Sequence, residues 1–300
     1  MKDVVVVSAA RSPFGKFGGT LKDFTHPDLG GLVFAEAVRR ADIDPSDVDE
    51  IAVGVNLPGS DRSIARQVAI KAGIPTEKVA YTVDRACCSS MAAINLAARS
   101  IRVGDAAIAA AGGAENMSRT PYFVQDARWG RQLGDIVLKD QLIIACPMTG
   151  KPRAVQAGEE AVEYGIGREP QDRWALRSHQ RYFAARDAGR FADELFPIAV
   201  PQAKGAPVPF CQDESPRADT TLSGWRGCPS SMRSPTVTAG NAPGLNTGAT
   251  AVILMSRDEA ERRGRLPSRR LSAARWPRAT PTASPPSRPR PASWPSPGPA

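Results

Sequence analysis

Three hundred residues with 42% hydrophobic content are enough for two domains with cores of their own. Nothing approaches the roughly 18 consecutive apolar residues of a membrane span, and the opening run Val4-Val5-Val6-Val7 is too short for a signal peptide. The net charge of +8 belongs to the tail: residues 265–300 hold seven Arg and no Lys, Asp or Glu, and subtracting those seven leaves +1 for residues 1–264. A nucleic-acid-binding face needs basic residues clustered on the folded part, so neither nucleic acid nor membrane is an expected partner. Five cysteines (87, 88, 146, 211 and 228) are odd in number and lack framework spacing, which favours a reducing, cytoplasmic setting.

In chain order, residues 4–10 read as a strand buried on both faces, followed by the glycine-rich loop 11–19. Leu29, Leu32, Val33 and Ala37 place a helix over 28–41 with Asp28 near its start. Asp44-Pro45-Ser46-Asp47 is a turn, Ile51–Val55 a strand, and Ile64, Val68 and Ala69 mark a helix before Gly73. Val79–Val83 alternates as a short strand and leads into Asp84-Arg85-Ala86-Cys87-Cys88-Ser89-Ser90-Met91. Met91, Ile94, Leu96, Ala98 and Ile101 then mark an Ala-rich helix ending near Val103-Gly104, and its small residues predict burial on several sides. The next strand, within Ala106–Ala111, completes an alternating β/α pattern and so a mostly parallel sheet between helices.

Cys87 falls where a strand feeds a helix. The unpaired N–H groups and positive dipole end of that helix stabilise a thiolate. A nucleophile there can attack a carbonyl while nearby N–H groups receive the developing charge. Spacing alone leaves a second reading open, in which Cys87 and Cys88 are two small buried hydrophobes. Adjacent cysteines do not make the spaced pair of a zinc site, and the chain has only two histidines, so no metal is expected.

From 119 to 222 the texture changes to helices near 156–164 and 170–188 joined by long loops, among them Cys146-Pro147-Met148-Thr149-Gly150. His179, on a polar helix, and His26, before Pro27 in a loop, read as structural or surface residues. Thr236–Ala249 carries three glycines and two asparagines, a loop that lets backbone approach a ligand closely. Ala251–Ser256 returns as a strand expected to rejoin the first sheet.

The cysteine stretch, together with Gly112-Gly113-Ala114-Glu115-Asn116-Met117-Ser118 and Pro121, resembles the thiolase family, enzymes that make or cleave a carbon–carbon bond beside an acyl-CoA thioester. The resemblance implies a thiolase-like layered α/β fold. Residues 1–118 and 236–263 would form its N-terminal α/β domain, and 119–235 an inserted loop domain that covers the active site and binds acyl-CoA. It assigns the nucleophile to Cys87, with Cys88 turned inward. Met148 matches a pocket methionine, though plain packing is an equal reading. Ala239, Pro243 and Gly244 fall where the family contacts the pantetheine arm. Asp84 stands where the family often has Asn, Ser90 where it often has Gly, Pro147 where it commonly has His, and Pro243 where many members have Ser. No cofactor is implied beyond coenzyme A thioesters, which are substrates. A homo-oligomer and a place in fatty acid metabolism are implied as well.

Two segments depart from the family. Residues 223–233 lack an apolar period and are not expected to pack. Residues 264–300 become Pro, Arg, Ser and Ala, with ten Pro in 265–300, and are expected to be disordered. Both read as translation out of the family's frame. The family's C-terminal half supplies a His-bearing loop and a second Cys-bearing loop, but no Gly-His-Pro and no Cys-Gly-Gly occurs here. Three functions remain open: impaired acyl transfer through Cys87, a catalytically dead fragment that at most binds acyl-CoA, and a binding protein that docks its basic tail on acidic partners.

Overall fold

Runs of small and β-branched residues build the centre of a mixed sheet in the computed structural model, which describes residues 2–125, 127–130, 132–143, 146, 148–265 and 269–270. The elements are β1 (Val4–Arg11), β2 (Gly15–Lys16), α1 (His26–Ala41), β3 (Glu50–Gly54), α2 (Ile64–Lys71), β4 (Val79–Val83), α3 (Ser89–Val103) and β5 (Ile108–Asn116). After them come the short hairpin β6 (Tyr122–Phe123) and β7 (Lys139–Asp140), α4 (Arg153–Glu163) and α5 (Arg168–Asp187). A second hairpin, β8 (Ile198–Val200) and β9 (Val208–Phe210), precedes α6 (Leu222–Arg226), β10 (Asn246–Ser256), α7 (Arg257–Arg262) and β11 (Arg269–Arg270). Residues through Arg270 form one compact unit. No helix among the described residues is long and apolar enough to cross a membrane.

The main sheet runs β11-β1-β10-β5-β3-β4, with β2 on β10. β3 is parallel to both β4 and β5, whereas β10 is antiparallel to β5 and to β1. Side chains alternate between faces with the period of two that a pleat imposes. Ile51, Val53, Ala110, Ala251, Ile253 and Met255 join one core with Val33, Phe34, Ala37, Val68 and Ala69 of α1 and α2. α3 packs on β5 and β3 and contributes no residue to that core, so the sheet is covered on both faces, as a parallel β/α pattern requires.

The helix α3 is less buried than its composition predicts. Ala93, Ala97, Ala98 and Ile101 face the sheet, but Met91 is 63% exposed, and Leu96 and Val103 are exposed too. Its small residues serve close approach to one face only. The expected tail boundary also moves: β11 pairs with β1 at Val5 and Val6, and Arg265 donates to the Asp42 carbonyl at 2.6 Å, so ordered contacts continue beyond residue 264. The remainder of the expected tail, residues 271–300, lies outside the described residues.

His26 is the first residue of α1 rather than part of a loop. Thr25 caps the helix, its hydroxyl accepting from the Asp28 N–H at 3.1 Å. His26 is 2% exposed and lies between two carboxylates, Nδ1 at 2.9 Å from Asp61 and Nε2 at 3.3 Å from Glu115. Glu115 in turn accepts from the N–H groups of Asn56 and Leu57, so the cluster ties the loop after β3 to the end of β5. Burial disfavours the imidazolium, but Glu115 and Asp61 outweigh it and raise the His26 pKa. A raised folded-state value contributes stability in full below the ordinary imidazole range near 6.5 and loses it as pH rises through the folded value. Urea unfolding across neutral pH should therefore show wild type most stable relative to His26→Gln at the acid end, with the gap closing as pH rises. A gap independent of pH would refute the imidazolium.

Candidate active site

The turn between β4 and α3 is built by its own side chains. Asp84 accepts from the Ala86 N–H at 3.0 Å, and Ser89 Oγ accepts from the Arg85 N–H at 2.8 Å while donating to the Ala86 carbonyl at 2.6 Å. Ala86 takes φ 50°, the left-handed region that a residue with a Cβ enters only at a cost. This bend lifts the chain off the strand and presents Cys87 immediately before Cys88, the N-cap of α3. Both cysteines are exposed. Cys88 therefore does not turn inward as expected: the cap position projects outside the helix, and Ser89, 4% exposed, is the residue that turns toward the sheet.

Two glycines let the helix start come down onto the sheet. A Cβ on Gly54, the last residue of β3, would lie 2.3 Å from the Ser90 N and 2.4 Å from the Ser89 carbonyl carbon. A Cβ on Gly113 of β5 would lie 2.0 Å from Ser90 Oγ and 2.7 Å from the Gly54 carbonyl oxygen. At position 54 the obstacle is backbone, which cannot rotate away. The height of the Cys87 turn above the sheet is thus set by the absence of a methyl group at Gly54.

Sheet topology brings the second part of the site to the same place. Gly54 is level with Val83 of β4 and with Gly113 of β5, so Cys87 lies beyond the carboxyl ends of the parallel strands. β10 runs the other way, its Thr247 level with Asn116. The loop before β10 therefore also lies at the carboxyl ends, the customary place for ligands in such sheets. Within that loop Thr238 and Gly240 are buried, whereas Ala239, Pro243 and Gly244 are exposed. Met148 is 71% exposed, which removes the plain-packing reading. Cavities of about 310 Å³, near Tyr182, Phe191 and Cys211, and about 440 Å³, near Phe17, Lys22 and Arg119, are lined by none of these residues.

Close to Met148, the Cys146 thiol is pushed down to about 7 by the Met148 N–H, the Gln156 side chain and Thr149. His179 is occupied structurally. Its Nδ1 accepts from the Arg217 N–H at 3.2 Å, its ring lies 5.9 Å from that of Trp225, and burial, then the Arg217 charge, lowers its pKa.

Segment 223–233 is mostly exposed, as a segment without an apolar period would be, but against the expectation one of its residues packs. Thr221 caps α6 by accepting from the Gly224 N–H, Trp225 is only 6% exposed, and its ring lies where a Cβ on Gly240 would be 3.0 Å away. One large aromatic suffices to anchor a five-residue helix, and no apolar period is needed. The residues that sequence reasoning missed are those that hold the loop before β10, Arg168, Asp172 and Asn241. Asn241 appeared there only as part of a flexible composition.

Residues 4–258 match the sequence model of the thiolase N-terminal domain. The chain is 43% identical over 272 residues to an acetyl-CoA acetyltransferase of Cupriavidus necator, covering 89% of this chain and 69% of that protein. It is 42% identical to the beta-ketothiolase BktB of the same organism, covering 90% and 70%. Among solved structures it is similar to the Bacillus anthracis acetyl-CoA acetyltransferase, with TM-score 0.86, 38% identity and coverage of 89% and 68%. It is likewise similar to human mitochondrial 3-ketoacyl-CoA thiolase in complex with CoA, with TM-score 0.84, 39% identity and the same coverage. The chain thus spans somewhat over two thirds of the length of these relatives. A mixed sheet in which β10 runs against β5, a cysteine on a strand-to-helix turn, and a family match that extends over residues 4–258 all lead to one conclusion: the chain belongs to the thiolase family.

Proposed function

We propose that the chain carries out thiolase-type acyl transfer through Cys87, as 3-ketoacyl-CoA thiolysis or acetoacetyl-CoA formation. One observation carries the reading: the exposed Cys87 turn and the exposed Ala239, Pro243 and Gly244 lie at the same end of the sheet. In the synthetic direction Cys87 Sγ first attacks the thioester carbonyl. A new C–S bond forms, the bond to coenzyme A breaks, and the departing thiolate receives the proton that Cys87 gives up. The α-carbon of a second acyl-CoA, having given a proton to a base, then takes the acyl group as the Cys87 thiolate leaves. In thiolysis Cys87 attacks the 3-keto carbonyl instead, the carbon–carbon bond breaks, and the released α-carbon is protonated to give acetyl-CoA. The acyl group then passes from Cys87 to coenzyme A, whose thiol proton returns to Cys87. Met148 would line the acyl pocket, and Ala239, Pro243 and Gly244 the pantetheine arm. Human 3-ketoacyl-CoA thiolase has been solved with CoA, which supports acyl-CoA and CoA as partners; a homo-oligomer, a cytoplasmic setting and fatty acid metabolism complete the proposal.

The carbon–carbon step needs a base at the substrate α-carbon. The sequence has two histidines; His26 is buried between Asp61 and Glu115, and His179 is occupied by Arg217 and Trp225. Neither Gly-His-Pro nor Cys-Gly-Gly occurs in these 300 residues. This favours a second reading, in which these residues alone bind acyl-CoA and acylate slowly without completing the cycle. General acid–base help is typically worth about 10²–10⁴-fold, so carbon–carbon turnover at least ~10²-fold below an intact relative is expected.

Incubating the 300-residue protein with acetyl-CoA and mapping the adduct by mass spectrometry should place one acetyl group on Cys87, absent from Cys87→Ala. An adduct that persists in that variant, on the acidified Cys146 above all, would refute the assignment. Thiolysis near roughly 10 s⁻¹, an ordinary enzyme value, would refute the missing base.

Gly54→Ala tests how the turn is held. The added methyl meets backbone, so a destabilisation of about 1–3 kcal/mol is expected from overpacking, with slower acetylation of Cys87. Unchanged melting together with unchanged acetylation would show that Gly54 does not set the turn.

A further inference from the structure

The loop before β10 is held from outside by a chain of buried and half-buried polar groups that the acyl-transfer chemistry does not itself require. Asp172, on the first turns of α5, is 6% exposed. One of its oxygens accepts from Arg168 Nε at 2.7 Å and the other from Asn241 Nδ2 at 2.9 Å. The same Asn241 amide donates to the Thr236 carbonyl at 3.1 Å, while its oxygen accepts from the Thr238 N–H at 2.8 Å. Thr238 then closes the loop on itself, its carbonyl accepting from the Ala242 N–H at 3.0 Å and its hydroxyl from the Gly240 N–H at 3.3 Å. Arg168 also reaches the Trp225 carbonyl at 2.6 Å, and the Trp225 ring fills the space beneath Gly240.

We propose that Arg168, Asp172 and Asn241 act as positioning residues. They fix the backbone of 236–242 so that the exposed Ala239, Pro243 and Gly244 are preorganised to receive the pantetheine arm. This rests on the acyl-CoA reading above. Asn241 links the helix directly to the loop's own turn, and each polar atom of its amide has a partner of the opposite kind. A glycine- and alanine-rich loop has many conformations to lose on binding. Holding it in one beforehand removes that loss from the binding step.

The chemistry dictates the variants. In Asp172→Asn, either Arg168 or Asn241 confronts an N–H group in place of an acceptor. In Asn241→Asp, two carboxylates face each other. The double variant Asp172→Asn/Asn241→Asp restores a donor–acceptor contact with the roles exchanged, leaving the Thr236 carbonyl as the one group without its donor. The full-length protein and each variant are compared in three measurements: coenzyme A affinity by calorimetry, amide hydrogen exchange, and Cys87 labelling by iodoacetamide. Hydrogen bonds to charged groups are worth enough that each single variant should bind coenzyme A roughly tenfold or more weakly. Exchange should rise at 236–242 and not in β5, iodoacetamide labelling of Cys87 should stay at the wild-type rate, and the double variant should recover part of both losses.

Exchange that rises equally in β5 would show a merely structural role and overturn the proposal. So would unchanged exchange at 236–242, or unchanged coenzyme A affinity in a loop that has loosened. Absence of coenzyme A binding by the wild type would instead overturn the acyl-CoA reading, and localised exchange with its rescue would then still establish that this chain of residues holds the loop.

Discussion

The strand Asn246–Ser256 is the constraint on which the architecture depends. It pairs along its length with β5 on one side and β1 on the other, and both partners precede it by more than a hundred residues. Without it β1 has no route to the rest of the sheet, and the core shared by α1, α2 and the strands lacks Ala249, Ala251, Ile253 and Met255. Pairing across such separations comes at a large loop-closure entropy. The sheet therefore closes only around an inserted segment that is itself compact enough to bring residue 246 back to residue 116. The antiparallel direction of this strand also delivers the loop ahead of it to the cysteine end of the sheet. Fold closure and site assembly are the same event.

The inserted segment is anchored by charge at the place where it could most easily swing away. Arg11, at the end of β1, pairs with Glu194 at 2.7 Å and Asp213 at 2.9 Å, and its guanidinium lies 5.3 Å from the rings of both Phe14 and Phe191. Asp213 also accepts from the Phe14 N–H, and the neighbouring Glu214 from the N–H groups of Lys16 and Thr20. Arg11 and Asp213 are largely buried, so removing one partner would leave a desolvated charge, a loss of about 3–5 kcal/mol in comparable pairs. Surface pairs such as Arg173–Glu169 contribute far less, because water and salt screen them. At this place the segment is thus held by a buried network rather than by its exposed ion pairs.

Where a residue's fate follows from its near neighbours in sequence, it was legible. The valine run of β1, the alternation of β4, the length of α3 and the return of β10 are local patterns; the first three formed close to their expected bounds, while β10 starts at Asn246 rather than at the expected Ala251. The start of α1 was legible too, since Thr25 and Asp28 have the spacing of a cap and its N3 residue, though attention to the apolar period placed the start two residues late. What escaped notice depends on distant partners. Asp172 and Asn241 meet across 69 positions and His26 and Glu115 across 89; nothing in their own neighbourhoods announces either contact. Cys88 escaped for another reason: a left-handed residue at Ala86 shifts the inward position from 88 to 89, and a single backbone angle cannot be read from composition. Segment 223–233 was misjudged because composition averages over the one residue, Trp225, that decides its packing.

An exposed cysteine and a held loop set what the proposed acyl transfer would still require. Cys87 is exposed, as are Met91 and Leu96 of the following helix. A thioester formed there would meet water, and acyl transfer to any other acceptor requires that water be kept out. The apolar side chains on α3 offer a surface that a covering element would bury, at a gain of roughly 25 cal/mol for each Å² removed from water. The same covering would desolvate the thiol and strengthen every hydrogen bond aimed at the reacting carbonyl. Positioning and exclusion are therefore separable here. The glycines beneath α3 set where the Cys87 turn stands and the Asp172–Asn241 link ties the loop before β10 to α5, while the proposed chemistry would need water to be kept from the exposed cysteine.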